Sequence, residues 1–199
     1  MKIPDTSVLG YALLGLIQQR PSSGYDLRKI FAETAMGNYS SSPGAIYPAL
    51  ERLESQGLIL GAVKDSAGLR RRRLYRLTPT GTVELRKWLT RPIEQSDVKR
   101  GMAELMLRFA FMERTLGADS SVAFLQNLRA VVHAYTSGLE TYFRANAERM
   151  PLSSRLALEC GIRGFRSIYV WTDHAIRMYR KVPSHPTSRS PKTRKGGPR

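Results

Sequence analysis

Residues 42–59 read Ser-Pro-Gly-Ala-Ile-Tyr-Pro-Ala-Leu-Glu-Arg-Leu-Glu-Ser-Gln-Gly-Leu-Ile, and this stretch decides the fold. Its apolar residues Ile46, Leu50 and Leu53 recur at helical spacing. Apolar residues at i, i+4 and i+7 share one side of an α-helix. The spacing therefore predicts a helix over about 42–56 with one buried face, the third helix of the chain.

Two prolines and two glycines set the ends of this third helix. Pro43 suits the first helical position, and Gly57 suits a helix stop. Pro48 lacks a backbone donor and would clash inside a longer helix. The helix therefore either begins nearer Gly44 or bends at Pro48.

The flanking segments complete a compact motif. Upstream, apolar periodicity predicts a first helix over 7–19 and a second over 24–34, separated from the third helix by the turn-forming residues 37–41. Downstream, a strand (58–64), a turn (65–68), a second strand (71–77) and a fourth helix that Pro92 ends are predicted. This order is that of a winged helix-turn-helix over residues 1–92.

The hairpin formed by the two predicted strands is the wing. The third helix and this wing carry the candidate DNA-contacting residues. Guanidinium groups bind phosphate bidentately, and small residues at a helix start let its backbone N–H groups approach an anion. Neighbouring strand residues point to opposite faces, so we expect two or three wing arginines to contact one DNA surface. The candidates are Ser41, Ser42, Gly44, Ala45, Tyr47, Pro48, Arg52, Arg70, Arg71, Arg72 and Arg73.

The overall charge agrees with a nucleic-acid partner. The 199-residue chain has 32 Lys and Arg against 16 Asp and Glu, a formal net charge of +16. Neutralising phosphates releases counterions and favours binding to polyanions. The alternatives are a hairpin kept soluble by charge, a membrane-surface or heparin-like patch, and a Tyr47 side chain packed against the wing or a neighbouring helix.

The second half of the chain predicts an all-α dimerisation domain over residues 99–182. After a polar linker around 93–98, amphipathic patterns predict helices over 100–113, 119–150 and 153–182. The last two carry apolar stripes spaced by threes and fours, which indicates coiled-coil-like pairing. The predicted dimerisation residues are Leu125, Leu128, Val132, Leu139, Leu158, Ile162, Phe165, Tyr169 and Ile176.

Residues 183–199 are rich in proline and basic residues and have no large apolar side chain, so we expect a disordered basic tail.

Several function classes are disfavoured. A single cysteine, Cys160, forms no intrachain disulfide, and it shows no zinc-ligand spacing with His133, His174 or His185. We therefore expect no metal and no cofactor. The apolar run 8–17 is too short to cross a bilayer and lacks a cleavage pattern, which favours a cytoplasmic protein. No glycine-rich phosphate loop, nucleophile elbow or histidine-containing cluster supports an enzyme.

The sequence resembles the PadR-type transcriptional regulators in four stretches. They are Leu13-Leu14-Gly15-Leu16, Pro21 to Leu27, Ser42 to Ile59, and Arg73 to Gly81. The resemblance implies a homodimeric regulator, usually a repressor, that a small and often aromatic molecule releases from its operator. Residues 99–182 resemble the longer branch, whose helical carboxy-terminal domain mediates dimerisation. The dense arginine run and the basic tail depart from the family pattern.

These observations predict a sequence-specific regulator that binds a pseudo-palindromic operator with two third helices in successive major grooves. We expect an aromatic effector to bind between the winged domain and the helical arm, at Trp88, Tyr169 or Trp171. The alternative for these aromatic residues is an ordinary dimer core. The alternative function is a winged-helix interaction module that binds an acidic protein partner.

Overall fold

The computed structural model of the chain describes residues 6–34, 36–37, 43–66 and 69–181, with backbone alone at 43, 64–66 and 69–71. Its first part confirms the predicted winged helix-turn-helix. We call this part the head, and its elements are α1 (Val8–Gln19), β1 (Ser22–Ser23), α2 (Gly24–Glu33), α3 (Ile46–Ser55), β2 (Ile59–Ser66), β3 (Leu69–Leu77) and α4 (Pro79–Thr90).

Short polar side chains begin three of the head's helices. The Ser7 hydroxyl accepts a hydrogen bond from a backbone N–H in the first turn of α1. Ser23 and Asp26 form a reciprocal capping box at the start of α2. Thr78 caps α4, with Pro79 as its first residue. Each cap gives an acceptor to N–H groups that have no partner inside the helix, which explains where these helices begin.

The wing is a three-stranded antiparallel sheet of order β1-β3-β2, one strand more than the sequence predicts. In β1, Ser22 pairs with Tyr75 and Ser23 pairs with Leu74. A strand of two residues is too short to leave a periodic signal in the sequence. The additional pairing joins the return strand of the wing to the start of α2.

The remaining four helices form the arm, and the predicted all-α architecture is confirmed. They are α5 (Gln95–Arg100), α6 (Met102–Leu116), α7 (Ala118–Asn146) and α8 (Leu152–Lys181). The sequence predicts a linker at 93–98, whereas the structure has α5 there. Glu94 and Asp97 form a capping box at its start, and Val98 is buried. The predicted tail, 183–199, lies outside the described residues.

The apolar stripes of α7 and α8 pack against the rest of one chain. Leu125, Leu128 and Val132 have no solvent exposure, and Ile162 and Ile176 are each 6% exposed. Such side chains leave almost no surface for a second copy, so the pairing that their spacing predicts is made within the chain. The other predicted dimerisation residues are partly exposed, namely Leu139, Leu158, Phe165 and Tyr169.

One hydrophobic core extends through both head and arm. It runs from Tyr11 in α1, through Trp88 in α4, to Val132 in α7. Gly15 allows α1 to approach α6 closely, because a Cβ there would lie 2.4 Å from the ring of Phe111 in α6. The predicted boundary near residue 92 therefore falls inside a shared core, and α6 holds the head against the arm.

Candidate nucleic-acid interface

The helix α3 is the predicted third helix, and its solvent-facing side carries the residues that the sequence predicts to contact DNA. Its other side is buried in the head through Ile46, Ala49, Leu50 and Leu53. Tyr47 is 46% exposed, and Ala45 is half-buried at the helix start. We call the exposed side the α3 face, and its residues are Gly44, Tyr47, Pro48, Glu51, Arg52 and Ser55. Among the described residues, both Tyr47 and Arg52 are exposed.

Glu51 is a residue of the α3 face that the sequence interpretation omitted. It lies one helical turn after Tyr47, so the i+4 spacing was the signal that could have found it. A carboxylate accepts hydrogen bonds from base-edge donors such as the cytosine amine, and it repels phosphate. A carboxylate at this position is therefore chemically better suited to base-edge donors than to phosphates.

Pro48 lies in the first turn of α3, where it disrupts no hydrogen bond. A short 3-10 turn, Pro43–Ala45, leads into the α-helix at Ile46, which makes Pro48 the third helical residue. The first N–H groups of a helix have no partner within it. Of the two expectations for Pro48, the later helix start is the one that the structure shows. Ser41 and Ser42 lie outside the described residues.

A glycine in α2 sets the position of the Tyr47 ring. A Cβ at Gly24 would lie 2.7 Å from Cε1 of Tyr47, closer than van der Waals contact allows. The absence of a side chain at Gly24 thus lets the ring rest against the first turn of α2. This contact orients Tyr47 and leaves nearly half of its surface in solvent.

Of the four wing arginines predicted to contact DNA, Arg72 and Arg73 have described side chains, and both are exposed. Arg73 Nη2 donates a hydrogen bond of 2.7 Å to Glu54 Oε1 of α3, and the same oxygen accepts one of 3.0 Å from the backbone N–H of Gly61 in β2. Glu54 therefore links the third helix to both strands of the wing. Arg72 is exposed next to Arg73. The side chains of Arg70 and Arg71 lie outside the described part.

Tyr47 of the α3 face meets the wing and the start of α2 at a cleft of about 490 Å³ that we call the tyrosine cleft. The sequence interpretation missed Tyr25 and Tyr75, which come into the cleft only through folding. Tyr25 is 53% exposed, and the guanidinium of Arg73 lies 5.7 Å from the ring centre of Tyr75. The lining residues are Ser23, Gly24, Tyr25, Tyr47, Arg72, Arg73 and Tyr75.

The protonation states of the residues at the tyrosine cleft favour an anionic ligand. Burial raises the pKa of Tyr75 above its ordinary value, so its hydroxyl stays a neutral donor at physiological pH. Asp26, just behind the cleft, is held ionised because the hydroxyl of Ser23 donates to it and lowers its pKa, with a smaller contribution from the charge of Arg72. The cleft lining therefore includes two arginines and the neutral hydroxyl of Tyr75.

The three predicted effector residues do not come together. Trp88 lines a cavity of about 720 Å³, and Tyr169 lines a separate one of about 200 Å³ beside His133. Trp171 instead packs edge-on against Phe109, with ring centres 5.6 Å apart. Only Trp88 thus lies at a cavity between head and arm.

We call the space beside Trp88 the head-arm cavity. The ring of Trp88 stacks on that of Tyr11 at 4.6 Å between centres, and its Nε1 donates a hydrogen bond of 2.9 Å to Glu104 of α6. Glu84 and Arg91 contribute charge to its wall. Apolar rings combined with charged groups suit a small molecule that has an apolar body and a polar substituent.

Metal-binding clusters and membrane-spanning helices are both absent from the described residues. Within them, no cluster of three or more His, Cys, Asp or Glu side chains is arranged to hold a metal ion. In the same residues, we find no helix with the length and apolar character required to span a bilayer.

Residues 13–87 match the family model described as "Transcriptional regulator PadR-like family". The negative transcriptional regulator PadR of Bacillus subtilis is 32% identical over 151 residues, which cover 74% of this chain and 81% of that protein. The probable transcriptional regulator Rv1176c of Mycobacterium tuberculosis is 24% identical over 177 residues, covering 83% and 94%. These relatives are transcriptional regulators rather than enzymes.

Among solved structures, the crystal structure of Bacillus subtilis PadR in complex with operator DNA has a TM-score of 0.41 at 26% identity, covering 86% of this chain and 97% of that one. The structure of the same protein in complex with p-coumaric acid has a TM-score of 0.39 at 25% identity, covering 87% and 99%.

Proposed function

Since this chain belongs to the PadR-like family of transcriptional regulators, we propose that it is a homodimeric repressor that binds operator DNA in the cytoplasm and is released by a small aromatic molecule. One observation carries the DNA-binding part of the proposal. Tyr47 of the α3 face and the wing arginines Arg72 and Arg73 line the same tyrosine cleft, so one surface presents groups for bases and for phosphates.

The chemistry of the side chains indicates which of them contact bases and which contact phosphates. Tyr47, Glu51 and Arg52 project from α3, a helix that fits the major groove, and can reach base edges. Arg72 and Arg73 flank the cleft, where guanidinium groups bind the phosphates beside the groove. The net charge of +16 adds an attraction that does not depend on DNA sequence.

We assign the contact between two copies to the outer face of α8. Four large apolar side chains remain exposed there: Leu152, Leu156, Val170 and Met178 are 61%, 52%, 63% and 48% exposed. Their spacings are close to whole helical turns, so they lie on one side, away from the stripe that packs on α7. A second copy that presents the same apolar stripe would bury it, as a two-fold interface requires.

The head-arm cavity is the proposed effector site. Its walls come from α1 and α4 of the head and from Glu104 of the arm. A molecule inserted between Tyr11, Trp88 and Glu104 would alter the contacts that hold α4 on α6. Release of DNA follows if the ligand prefers a head position that does not fit the operator.

Selection from a random pool of duplexes, with the full chain, tests the proposal. We expect enrichment of one pseudo-palindromic sequence. Tyr47→Ala should lose about 1–3 kcal/mol on that duplex and less on random DNA. Tyr142→Ala, at an exposed tyrosine of the arm, is the matched control and should bind as the parent does. Equal losses on both duplexes for Tyr47→Ala, or binding to acidic proteins without DNA selectivity, would refute operator reading.

Fluorescence tests the effector site separately. The chain has two tryptophans, so Trp171→Phe leaves Trp88 as the only tryptophan reporter. p-Coumaric acid, the compound bound to the Bacillus subtilis protein, is the first probe. We expect quenching of Trp88 emission over the same concentrations that release the operator. Release of the operator without any change in Trp88 emission would place the effector elsewhere.

A further inference from the structure

A buried charge lies where the head meets the arm. Arg108 of α6 has no solvent exposure, and it is the only charged residue among the buried side chains of the described part. No ion pair joins it to an acidic side chain within those residues. Burying a charge without a partner is costly, so its position calls for a specific use.

Arg108 binds the end of the last helix of the head. Its Nη2 donates to the carbonyl oxygen of Leu89 at 3.1 Å and also to that of Arg91. The last carbonyls of a helix have no donor within it, and Pro92, which follows, has no N–H to offer. A cation at this end also interacts favourably with the helix dipole. Arg108 therefore caps α4 from the arm.

Three helices meet at this guanidinium. Its central carbon lies 5.3 Å from the ring centre of Phe124 in α7, while its donors reach α4 and its backbone belongs to α6. The guanidinium is planar, with donors in fixed directions, so it satisfies both carbonyls in one orientation of α4. A rotation of the head would leave buried carbonyls without a donor, which is unfavourable.

We infer that Arg108 determines which spacing between operator half-sites the protein accepts, by fixing the angle between head and arm. This inference rests on the proposed function, in which two arms join and two heads read one duplex. Inserting one base pair moves a half-site by about 3.4 Å and turns it by about 35°. A head that Arg108 holds at a fixed angle to the arm cannot move with the displaced half-site. A head whose α4 is no longer capped by Arg108 can rotate to reach it.

The test measures affinity for four duplexes that carry the same selected half-sites. One duplex has the preferred spacing, one is shorter by one base pair, and two are longer by one and by two base pairs. We expect the parent to lose about tenfold in affinity or more for one inserted base pair. Arg108→Met, which keeps volume but removes the donors, should lose at most about threefold on the same change. Arg108→Lys, which keeps a cation but lacks the fixed planar donors of a guanidinium, should lie between them.

Arg114→Met is the matched control. Arg114 also joins arm to head, because its Nη2 donates to the carbonyl of Gln19 at 2.9 Å, but it lies in solvent where water can replace it. Its spacing profile should equal that of the parent. An Arg108→Met dimer with the parent's profile, or with affinity lowered equally at every spacing, overturns the inference.

A further variant covers the case in which Arg108→Met does not fold. Phe124→Leu keeps an apolar side chain and removes the ring beside the guanidinium, so its profile should broaden in the same direction. A folded Phe124→Leu with the parent's profile then overturns the inference. Absence of sequence-selective binding by the parent would instead reject the proposed function.

Discussion

Glu54 of α3 and Arg73 of the wing are joined by a hydrogen bond of 2.7 Å between the carboxylate and the guanidinium. Glu54 is the less exposed partner, with 25% of its side chain in solvent against 53% for Arg73. Exposed ion pairs contribute little to stability. The Glu54–Arg73 pair therefore acts mainly by fixing the position of the wing relative to α3.

Glu54→Ala should weaken operator binding by about threefold to tenfold, because Arg73 is no longer oriented and Gly61 loses its acceptor. The temperature of unfolding should change little. Fluorescence anisotropy with the selected duplex measures the affinity. Glu33→Ala removes the same charge from the exposed end of α2, so a similar loss in that variant would contradict a positional role.

Glu51→Gln should raise affinity for random DNA and reduce discrimination between operator and random sequence. Its carboxylate lies on the α3 face, where it repels phosphates and limits tight contact to suitable base edges. Competition of labelled operator against unlabelled random duplex measures the ratio of the two affinities. An unchanged ratio would show that Glu51 does not face bases.

Gly24→Ala should move the Tyr47 ring and lower operator affinity about tenfold while the fold persists. The new Cβ would lie 2.7 Å from Cε1 of Tyr47, and that ring can swing toward solvent. Anisotropy and circular dichroism report binding and folding. Gly138→Ala, on α7 with no atom within 4 Å of its added Cβ, should keep operator affinity and stabilise its helix by about 0.5–1 kcal/mol.

Arg72→Ala should lower the slope of log affinity against log salt by about one unit, since one phosphate contact disappears. Binding is measured from low to physiological salt. Arg155→Ala, at an exposed position near the start of α8, changes the net charge equally and should keep the parent's slope. If both variants lose the same slope, Arg72 acts through overall charge rather than contact.

Asp26→Asn should remove part of the acid sensitivity of folding. In the native head the pKa of Asp26 is lowered, chiefly by donation from the Ser23 hydroxyl. A lowered native pKa stabilises the fold above the unfolded value of about 3.9, and this stability is lost as pH falls through the native pKa. Urea unfolding between about pH 6 and pH 3 should show a shallower decline for the variant. Parallel declines would contradict the assignment.

Local patterns predicted most of the head correctly. The spacing of Ile46, Leu50 and Leu53 identified the buried side of α3, and their burial confirms it. The same periodicity places Tyr47 and Arg52 opposite, where both are exposed. Helical periodicity depends only on neighbours in the chain, so it can be interpreted without knowing the rest of the fold.

Contacts between distant segments could not be predicted in this way. The two-residue β1 exists because β3 lies beside Ser22 and Ser23, and α5 begins where Glu94 and Asp97 cap each other. The sequence also treats Trp88, Tyr169 and Trp171 as equivalent aromatic candidates. Which of them borders the head-arm cavity depends on the packing of α1, α4 and α6.

The chain alone therefore determined the winged-helix order, the exposed reading helix and the concentration of arginine in the wing, because these follow from local periodicity and composition. Only the tertiary structure decided that the stripes of α7 and α8 are buried within one chain. It also decided that Arg108 caps a helix of the head and that Tyr25 and Tyr75 share a cleft with Tyr47. Burial and hydrogen-bond partners depend on residues far apart in sequence, and such pairings exist only after the chain has folded.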